Sequence, residues 1–129
     1  MYKTLKISLL LCFFTLICTH AGAQTSEYKR ITATEARKMM MELNDFTLLD
    51  VRTESEYRRQ HIEGAKLMPH TDIPRRAESE LPDKNKIILV YCQAGVRSER
   101  AARALLDLGY TNVYDFGGIA DWPYGVIRN

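Results

Sequence analysis

The segment from Lys86 to Tyr91 (KIILVY) constrains the fold more than any other part of the chain. Its unbroken run of branched apolar side chains is typical of a strand that is buried on both faces of a sheet. A loop from Cys92 to Ser98 follows, and the apolar spacing then predicts a helix that begins at Ser98 or Glu99 and runs to Leu108. Because a buried strand followed by a helix is the repeating unit of parallel sheets, this segment favours an α/β fold.

Two other helices are predicted by the same local signal, the capping box, in which a Thr caps the helix and a Glu three residues later bonds back to it. Thr32 and Glu35 open a helix that runs to about Leu43, and Thr53 and Glu56 open a shorter helix through Gln60. The remaining expected elements are a strand at 46–50, a turn with a short strand at 61–69, a helix at 72–81 and a last strand at 112–116. Strands thus alternate with helices, which predicts a parallel sheet covered on both faces.

The first 23 residues differ in composition from the rest of the chain. They contain no acidic residue, a nearly apolar run of twelve residues follows Lys6, and the segment closes with Ala21-Gly22-Ala23. A basic start, a short apolar centre and this ending predict a secretory signal peptide at 1–23 that is cleaved after Ala23. The alternative is a membrane anchor, but twelve helical residues cover only about 18 Å of a hydrocarbon core about 30 Å thick. We therefore expect an exported protein, periplasmic or secreted, with no stable membrane insertion after cleavage.

Loss of the leader changes the composition that matters for function. The whole chain has 129 residues, three cysteines and a net charge of +2, and two of those cysteines and two lysines lie in the leader. The remainder is a lead-in at 24–30 and a single domain at 31–129, with 16 basic residues, 16 acidic residues and one cysteine, Cys92. Balanced charge gives no bulk attraction to nucleic acid, so no nucleic-acid partner is expected. A lone thiol in an exported protein indicates pairing with another molecule or chemical reactivity.

Cys92 is placed where parallel-sheet proteins bind ligands, at the carboxyl end of a strand. Backbone N–H groups between this strand and the next helix can converge on one anion, and the helix dipole and Arg97 both favour a thiolate. Gly95 allows the loop to curl tightly. Two interpretations remain: an exposed thiol of low pKa inside a nest of amides, or a small buried apolar side chain. Position alone favours neither.

Four motifs, in order, resemble those of the rhodanese (sulfurtransferase) family. The first is Leu48 to Arg52 followed by Glu56-Tyr57, the second is His61 to Ala65, the third is Cys92 to Ser98 (CQAGVRS), and the last is Gly117-Gly118-Ile119 with Trp122. Their order and spacing agree over roughly residues 31–125, and the short chain with a leader resembles the single-domain exported rhodaneses. The resemblance implies a rhodanese-like α/β fold with a central, mostly parallel sheet of about five strands and helices on both faces.

The resemblance also implies a chemistry. Cys92 would attack the outer sulfur of a small anionic donor such as thiosulfate, release sulfite, hold the sulfur as a persulfide and pass it to cyanide or a thiol. The loop amides would stabilise the persulfide and the donor, and Arg97 would hold the donor's oxyanion or the loop itself. The implied substrate-binding residues are the rest of the loop: Gln93, Ala94, Gly95, Val96, Arg97 and Ser98. No metal or organic cofactor is needed.

Residues outside the loop receive supporting or structural interpretations. Asp50 is expected to organise the loop through hydrogen bonds without transferring a proton. Arg52 is expected to support the site, in a structural ion pair or helix-cap network with Glu56. Three further residues are interpreted as non-catalytic: His61 as structural, His70 as exposed, and Trp122 as part of the core.

Two positions depart from the family pattern. Gln60 stands where a Gly usually precedes His61, so a different local turn is expected. Gln93 stands where Arg is frequent, and the missing charge is expected to weaken the binding of doubly charged thiosulfate. The physiological donor therefore stays open.

Two other functions compete with sulfur transfer. The first is phosphatase activity. Four residues separate Cys92 from Arg97, whereas the related phosphatases use a loop one residue longer, so the loop of this chain should suit a sulfur better than a phosphate. The second competitor is a non-catalytic or redox-sensing module that binds a partner, for which a redox protein is a candidate. A dithiol oxidoreductase is disfavoured because the domain has no second cysteine to resolve a mixed disulfide.

Overall fold

The computed structural model of the protein describes residues 27–129. The signal peptide interpreted at 1–23 lies outside the described residues. The strands and α-helices, in chain order, are β1 (Lys29–Arg30), α1 (Ala33–Glu42), β2 (Thr47–Asp50), α2 (Glu54–Arg59), β3 (Gln60–His61), β4 (Lys66–Leu67), α3 (Ile73–Glu80), β5 (Ile88–Cys92), α4 (Val96–Asp107), β6 (Val113–Gly118) and β7 (Ile127–Arg128). Short 3-10 turns at His70–Asp72 and Ile119–Asp121 precede α3 and follow β6.

Five of these strands form one sheet in the order β1-β6-β5-β2-β4, and every neighbouring pair is parallel. β5, the strand that carries Cys92, lies at the centre with β2 and β6 on its two sides. The expected α/β fold with a sheet of about five parallel strands is confirmed. The arrangement brings the carboxyl ends of β2 and β5 to the same edge of the sheet, where Asp50 pairs with Tyr91 in register.

The helices cover both faces of this sheet, as predicted. One face of β5 presents Val90 and Cys92 to a core built with α3 and α4, and the other presents Leu89 and Tyr91 to a core built with α1 and the chain after β6. Successive side chains of a strand point to opposite faces, so the unbroken apolar run of β5 supplies both cores at once. This double burial fixes the end of β5, where Cys92 lies, between the two cores.

A second, two-stranded ribbon lies outside the main sheet. β3 and β7 pair antiparallel, with Gln60 opposite Arg128 and His61 opposite Ile127. The sequence pattern does not predict β7, because two residues are too few to show a strand periodicity. The ribbon brings the end of the chain back to the segment that follows α2.

The two capping boxes are formed as predicted, with Thr32 capping α1 and Thr53 capping α2. The start of α4 is a correction. It begins at Val96 instead of Ser98 or Glu99, because Gly95 adopts a left-handed conformation with φ of 103° that ends the loop earlier. Arg97 and Ser98 are therefore first-turn helical residues, and Cys92, expected in the loop, closes β5.

Lys29 and Arg30, within the segment interpreted as a lead-in, form the edge strand β1 beside β6. No helix within residues 27–129 has the length and apolar character needed to span a bilayer.

Candidate active site

The sulfur of Cys92 lies inside the curl of the loop that follows β5. The backbone N–H of Gly95 donates to Sγ at 3.0 Å, and the residue as a whole is only 1% exposed. The thiol is thus buried and, at the same time, held by hydrogen-bond donors, which combines features of the two interpretations that the sequence left open.

The pKa of Cys92 is lowered from that of an ordinary thiol, although burial raises it. The opposing cause is a set of hydrogen bonds to the sulfur from the hydroxyl and N–H of Ser98 and from the N–H groups of Gly95 and Ala94. Such donors stabilise the thiolate more than the thiol, and the thiolate is the nucleophilic form of cysteine.

Two glycines allow the loop to take this shape. Gly95 has the left-handed φ that closes the curl. Gly118, on neighbouring β6, packs so closely that a Cβ atom built there would lie 2.1 Å from the carbonyl oxygen of Gln93. That same oxygen accepts a hydrogen bond from the N–H of Ala120 at 3.2 Å. The end of β6 therefore holds the first half of the loop against the sheet.

Ser98 links the loop to β6 from the helix side. Its Oγ lies 3.0 Å from the carbonyl oxygen of Gly95 and 3.3 Å from that of Gly117. The hydroxyl has one proton, which it donates to one of these two oxygens at a time. The same hydroxyl is one of the groups that lower the pKa of Cys92.

Asp50 and Arg52 form a buried ion pair beside the loop. Asp50 is 0% and Arg52 is 2% exposed, and Nη2 of Arg52 lies 2.7 Å from Oδ2 of Asp50. The other terminal nitrogen of Arg52 donates to Oε1 of Gln93 at 3.4 Å, and Nη2 also donates to the carbonyl oxygen of Gln60 at 2.7 Å. Asp50 thus reaches the loop through Arg52, and its role in organising the loop stays a prediction.

Glu56 and Arg97 form a second pair, which is partly exposed. Both terminal nitrogens of Arg97 donate to the carboxylate of Glu56, at 2.7 and 2.8 Å. Hydrogen bonds from Arg97 and from the capping residue Thr53 hold the pKa of Glu56 well below its usual range. An ion pair between Arg52 and Glu56 was therefore the wrong expectation, because Asp50 is nearer to Arg52 and Arg97 approaches Glu56 from α4. The helix-cap role expected of Glu56 is confirmed.

The three residues interpreted as non-catalytic have different outcomes. His61 stacks on Tyr57 with ring centroids 3.9 Å apart, and its Nδ1 lies 2.9 Å from the Tyr57 carbonyl oxygen. Trp122 is buried against Phe116, as expected. The expectation that His70 is exposed is wrong. It is half-buried, and burial and then the charges of Arg100 and Arg97 lower its pKa.

Sequence reasoning missed the contribution of Tyr91. Its buried hydroxyl donates to Oδ2 of Asp50 at 2.7 Å and accepts from the N–H of Ile62 at 3.1 Å. The available signal was a polar hydroxyl at the end of an otherwise apolar strand, since a buried Tyr hydroxyl requires a partner. Gly118 was noted as part of a motif, but its close approach to the loop has no local signal.

A cleft of about 490 Å³ adjoins the loop on the side of Gln93. It is lined by Arg52, Glu56, Arg59, Gln60, Gln93 and Arg128. Within residues 27–129, no group of three or more His, Cys, Asp or Glu side chains is placed to hold a metal ion. Guanidinium groups in the cleft and backbone amides in the loop are donors that can bind an anion beside Cys92.

Known proteins resemble this chain in both sequence and structure. The family model of the rhodanese-like domain matches residues 32–123. The thiosulfate sulfurtransferase PspE of Escherichia coli (strain K12) is 38% identical over 73 residues, which cover 57% of this chain and 70% of that protein. A tRNA uridine(34) hydroxylase of Bdellovibrio bacteriovorus is 34% identical over 97 residues, covering 71% of this chain but only 27% of that protein.

A rhodanese-like domain protein from Staphylococcus aureus, solved by crystallography, superposes with a TM-score of 0.69 at 32% identity, over 78% of this chain and 98% of that one. The residues matched by the family model contain the cysteine loop and four of the five strands of the main sheet, β2, β4, β5 and β6. This chain therefore belongs to the rhodanese-like domain family.

Proposed function

We propose that this protein is a sulfurtransferase that carries a sulfane sulfur as a persulfide on Cys92. The observation that supports this most is the lowered pKa of a buried thiol that is surrounded by loop donors. A buried thiolate whose charge is stabilised by fixed hydrogen bonds is an activated nucleophile. The sequence similarity to PspE, a thiosulfate sulfurtransferase, supports the same chemistry.

The first half of the reaction loads the sulfur. The Cys92 thiolate attacks the outer sulfur of thiosulfate, a sulfur–sulfur bond forms to Cys92, and the original sulfur–sulfur bond breaks with its electron pair leaving on sulfite. The product is a persulfide anion, so one negative charge stays on the enzyme. The N–H of Gly95, which donates to the sulfur at 3.0 Å, stabilises that charge together with the N–H groups of Ala94 and Ser98, which also lower the pKa of Cys92.

The second half delivers the sulfur to an acceptor. A thiol attacks the outer persulfide sulfur, the bond to Cys92 breaks, and Cys92 departs as a thiolate. The acceptor's proton ends on the transferred sulfur, and the acceptor leaves as a persulfide. A low pKa favours Cys92 as the leaving group, because a more stable thiolate departs faster.

Arg97 acts in this proposal by holding the loop. Both of its terminal nitrogens are occupied by Glu56, so its charge is largely compensated. A phosphatase would need this arginine to bind the phosphate, and the pairing with Glu56 gives sulfur transfer the better support.

The test mixes the protein with thiosulfate and cyanide. We expect thiocyanate to form, and mass spectrometry of the Cys92 peptide to show one added sulfur atom after thiosulfate alone. Cys92→Ser should abolish both signals while retaining the far-ultraviolet circular dichroism of the folded protein. A wild-type protein that shows neither product with any sulfur donor would overturn the proposal and favour a partner-binding or redox-sensing module.

We also propose that the protein is exported to the periplasm or secreted, on the strength of the leader at 1–23. The N-terminal residue of protein isolated from a fractionated culture tests this. Residue Gln24 at the N-terminus in the exported fraction is the expected result, whereas an uncleaved chain in the cytosol would contradict it.

A further inference from the structure

The cleft beside Gln93 is lined by more basic than acidic side chains. Of its charged groups, Arg52 is neutralised by Asp50 and Glu56 is neutralised by Arg97. Arg59 and Arg128 make no ion pair with any side chain of residues 27–129. Two positive charges in the cleft are therefore uncompensated, even though the domain as a whole is electrically balanced.

The fold itself places these two arginines together. Arg59 ends α2 and precedes Gln60, which lies directly opposite Arg128 in the antiparallel ribbon of β3 and β7. Side chains directly opposite on such a ribbon project from the same face, and Gln60 and Arg128 both line the cleft. Ile127, one residue earlier, lines a separate cleft. The alternation along β7 thus assigns a cationic side chain to the side of the ribbon near the nucleophile.

The size of the cleft indicates a ligand larger than the sulfur donor. Thiosulfate has five heavy atoms and is served by the loop amides, whereas about 490 Å³ lies in the range of about 300–1,000 Å³ that accommodates drug-sized molecules. Guanidinium groups bind carboxylates through paired N–H donors. The cleft borders the loop through Gln93, which directly follows the nucleophile.

We propose that this cleft is the binding site for the sulfur acceptor, and that the acceptor is a low-molecular-weight thiol carrying two or more carboxylates that Arg59 and Arg128 hold. The inference rests on the proposed sulfur transfer, because a thiol needs the Cys92 persulfide as its reaction partner. Its sulfur attacks the outer sulfur of that persulfide, and the bond to Cys92 breaks with the electron pair staying on Cys92. The thiol proton passes to the transferred sulfur, so atoms and charge balance without an oxidant.

Single-turnover kinetics with two thiols test this. The protein is loaded with thiosulfate or inorganic polysulfide, freed of excess donor, and mixed with mercaptosuccinate, a dicarboxylate, or with 2-mercaptoethanol, which carries no carboxylate. The measured quantity is the ratio of the two second-order rate constants, since differences in intrinsic thiol reactivity cancel when variants are compared. We expect Arg59→Gln and Arg128→Gln each to lower this ratio about fivefold, and the double variant at least about tenfold. Added salt should lower the wild-type ratio.

Arg58→Gln provides a matched control. Arg58 lies in the last turn of the same helix, is exposed, pairs with Glu54 and lies outside the cleft, so its loss removes one positive charge without touching the proposed site. The wild-type ratio should be retained. An unchanged ratio in the Arg59 and Arg128 variants would overturn the inference, and so would an effect confined to the thiosulfate loading rate. Failure of the proposed sulfur transfer would show earlier and separately, as the absence of a persulfide in the wild type before any thiol is added.

Discussion

Two arginine–carboxylate pairs flank the cysteine loop, and they differ in burial. Asp50 and Arg52 are buried almost completely, whereas Arg97 and Glu56 are 26% and 18% exposed. The first pair joins residues two apart at the end of β2, and the second joins α2 to the first turn of α4 across 41 positions of sequence. Each pair contacts the loop or its helix, but the physical consequences of breaking them are unequal.

The difference follows from desolvation. A charge in the interior costs several kcal/mol unless it is paired, so removal of one partner leaves the other in an unfavourable state. In the partly exposed pair, water can instead take the place of a lost partner. Breaking the buried pair is therefore expected to destabilise the edge of the sheet strongly. Breaking the partly exposed pair is expected to affect only how α2 and α4 are held together.

The largest effect is expected for Arg52→Met. The substitution keeps much of the volume but leaves the Asp50 carboxylate buried with Tyr91 as its remaining side-chain partner. We expect the free energy of unfolding to fall by about 3–5 kcal/mol, measured by urea denaturation.

The double variant Asp50→Asn with Arg52→Met is the control. Because it removes the uncompensated charge as well, it should be more stable than Arg52→Met alone. A loss below about 1 kcal/mol in the single variant would mean that the buried pair behaves like an exposed pair, and the comparison would fail.

A smaller effect is expected for Glu56→Gln, about 1 kcal/mol at neutral pH. The pKa of Glu56 is lowered in the folded state, so its contribution is present above the unfolded pKa of about 4.3 and is lost as the pH falls through the folded value. The stability difference between wild type and variant should therefore shrink on acidification below about pH 4. Urea denaturation at a series of pH values measures it.

Glu54→Gln, which removes an exposed carboxylate from the same helix, should have the smaller effect of the two. If the stability difference for Glu56→Gln were constant down to low pH, the carboxylate would not be responsible for it.

The smallest effect on stability, but a direct effect on the thiol of Cys92, is expected for Ser98→Ala. Loss of a hydroxyl donor should raise the pKa of Cys92 toward its ordinary value. The ultraviolet absorbance of the thiolate as a function of pH, with the Cys92→Ser signal subtracted, reports this pKa. Ser79→Ala, an exposed helical serine remote from the loop, is the control, and a pKa that both variants leave unchanged would remove Ser98 from the set of donors.

Much of the local structure was predictable from the sequence. The capping boxes at Thr32 and Thr53 are formed as expected, because a capping box involves residues only three positions apart. The apolar run of β5 predicted a central strand because burial on both faces leaves no polar position in the pattern. The helix start at Val96 was missed, since it depends on how the loop closes around the sulfur.

The partners of charged groups were less predictable. The sequence offered Glu56 as a partner for Arg52, four positions away, whereas the folded chain gives Arg52 to Asp50 and Glu56 to Arg97. Arginine side chains are long enough to reach several carboxylates, so the choice depends on how α2 and α4 approach each other. For the same reason, no local sequence pattern predicts that Arg59 and Arg128 line the same cleft.

The sequence alone determined the alternation of the main strands and helices, the family to which the motifs point, and the position of Cys92 at the end of a strand. Only the tertiary structure decided that this thiol is both buried and ionised more readily than usual, because the donors converge on it only when β6 holds the loop through Gly118. It also decided which charges remain uncompensated near the loop. Hydrophobic pattern is read along the chain, whereas electrostatics depends on distances in space between residues far apart in sequence.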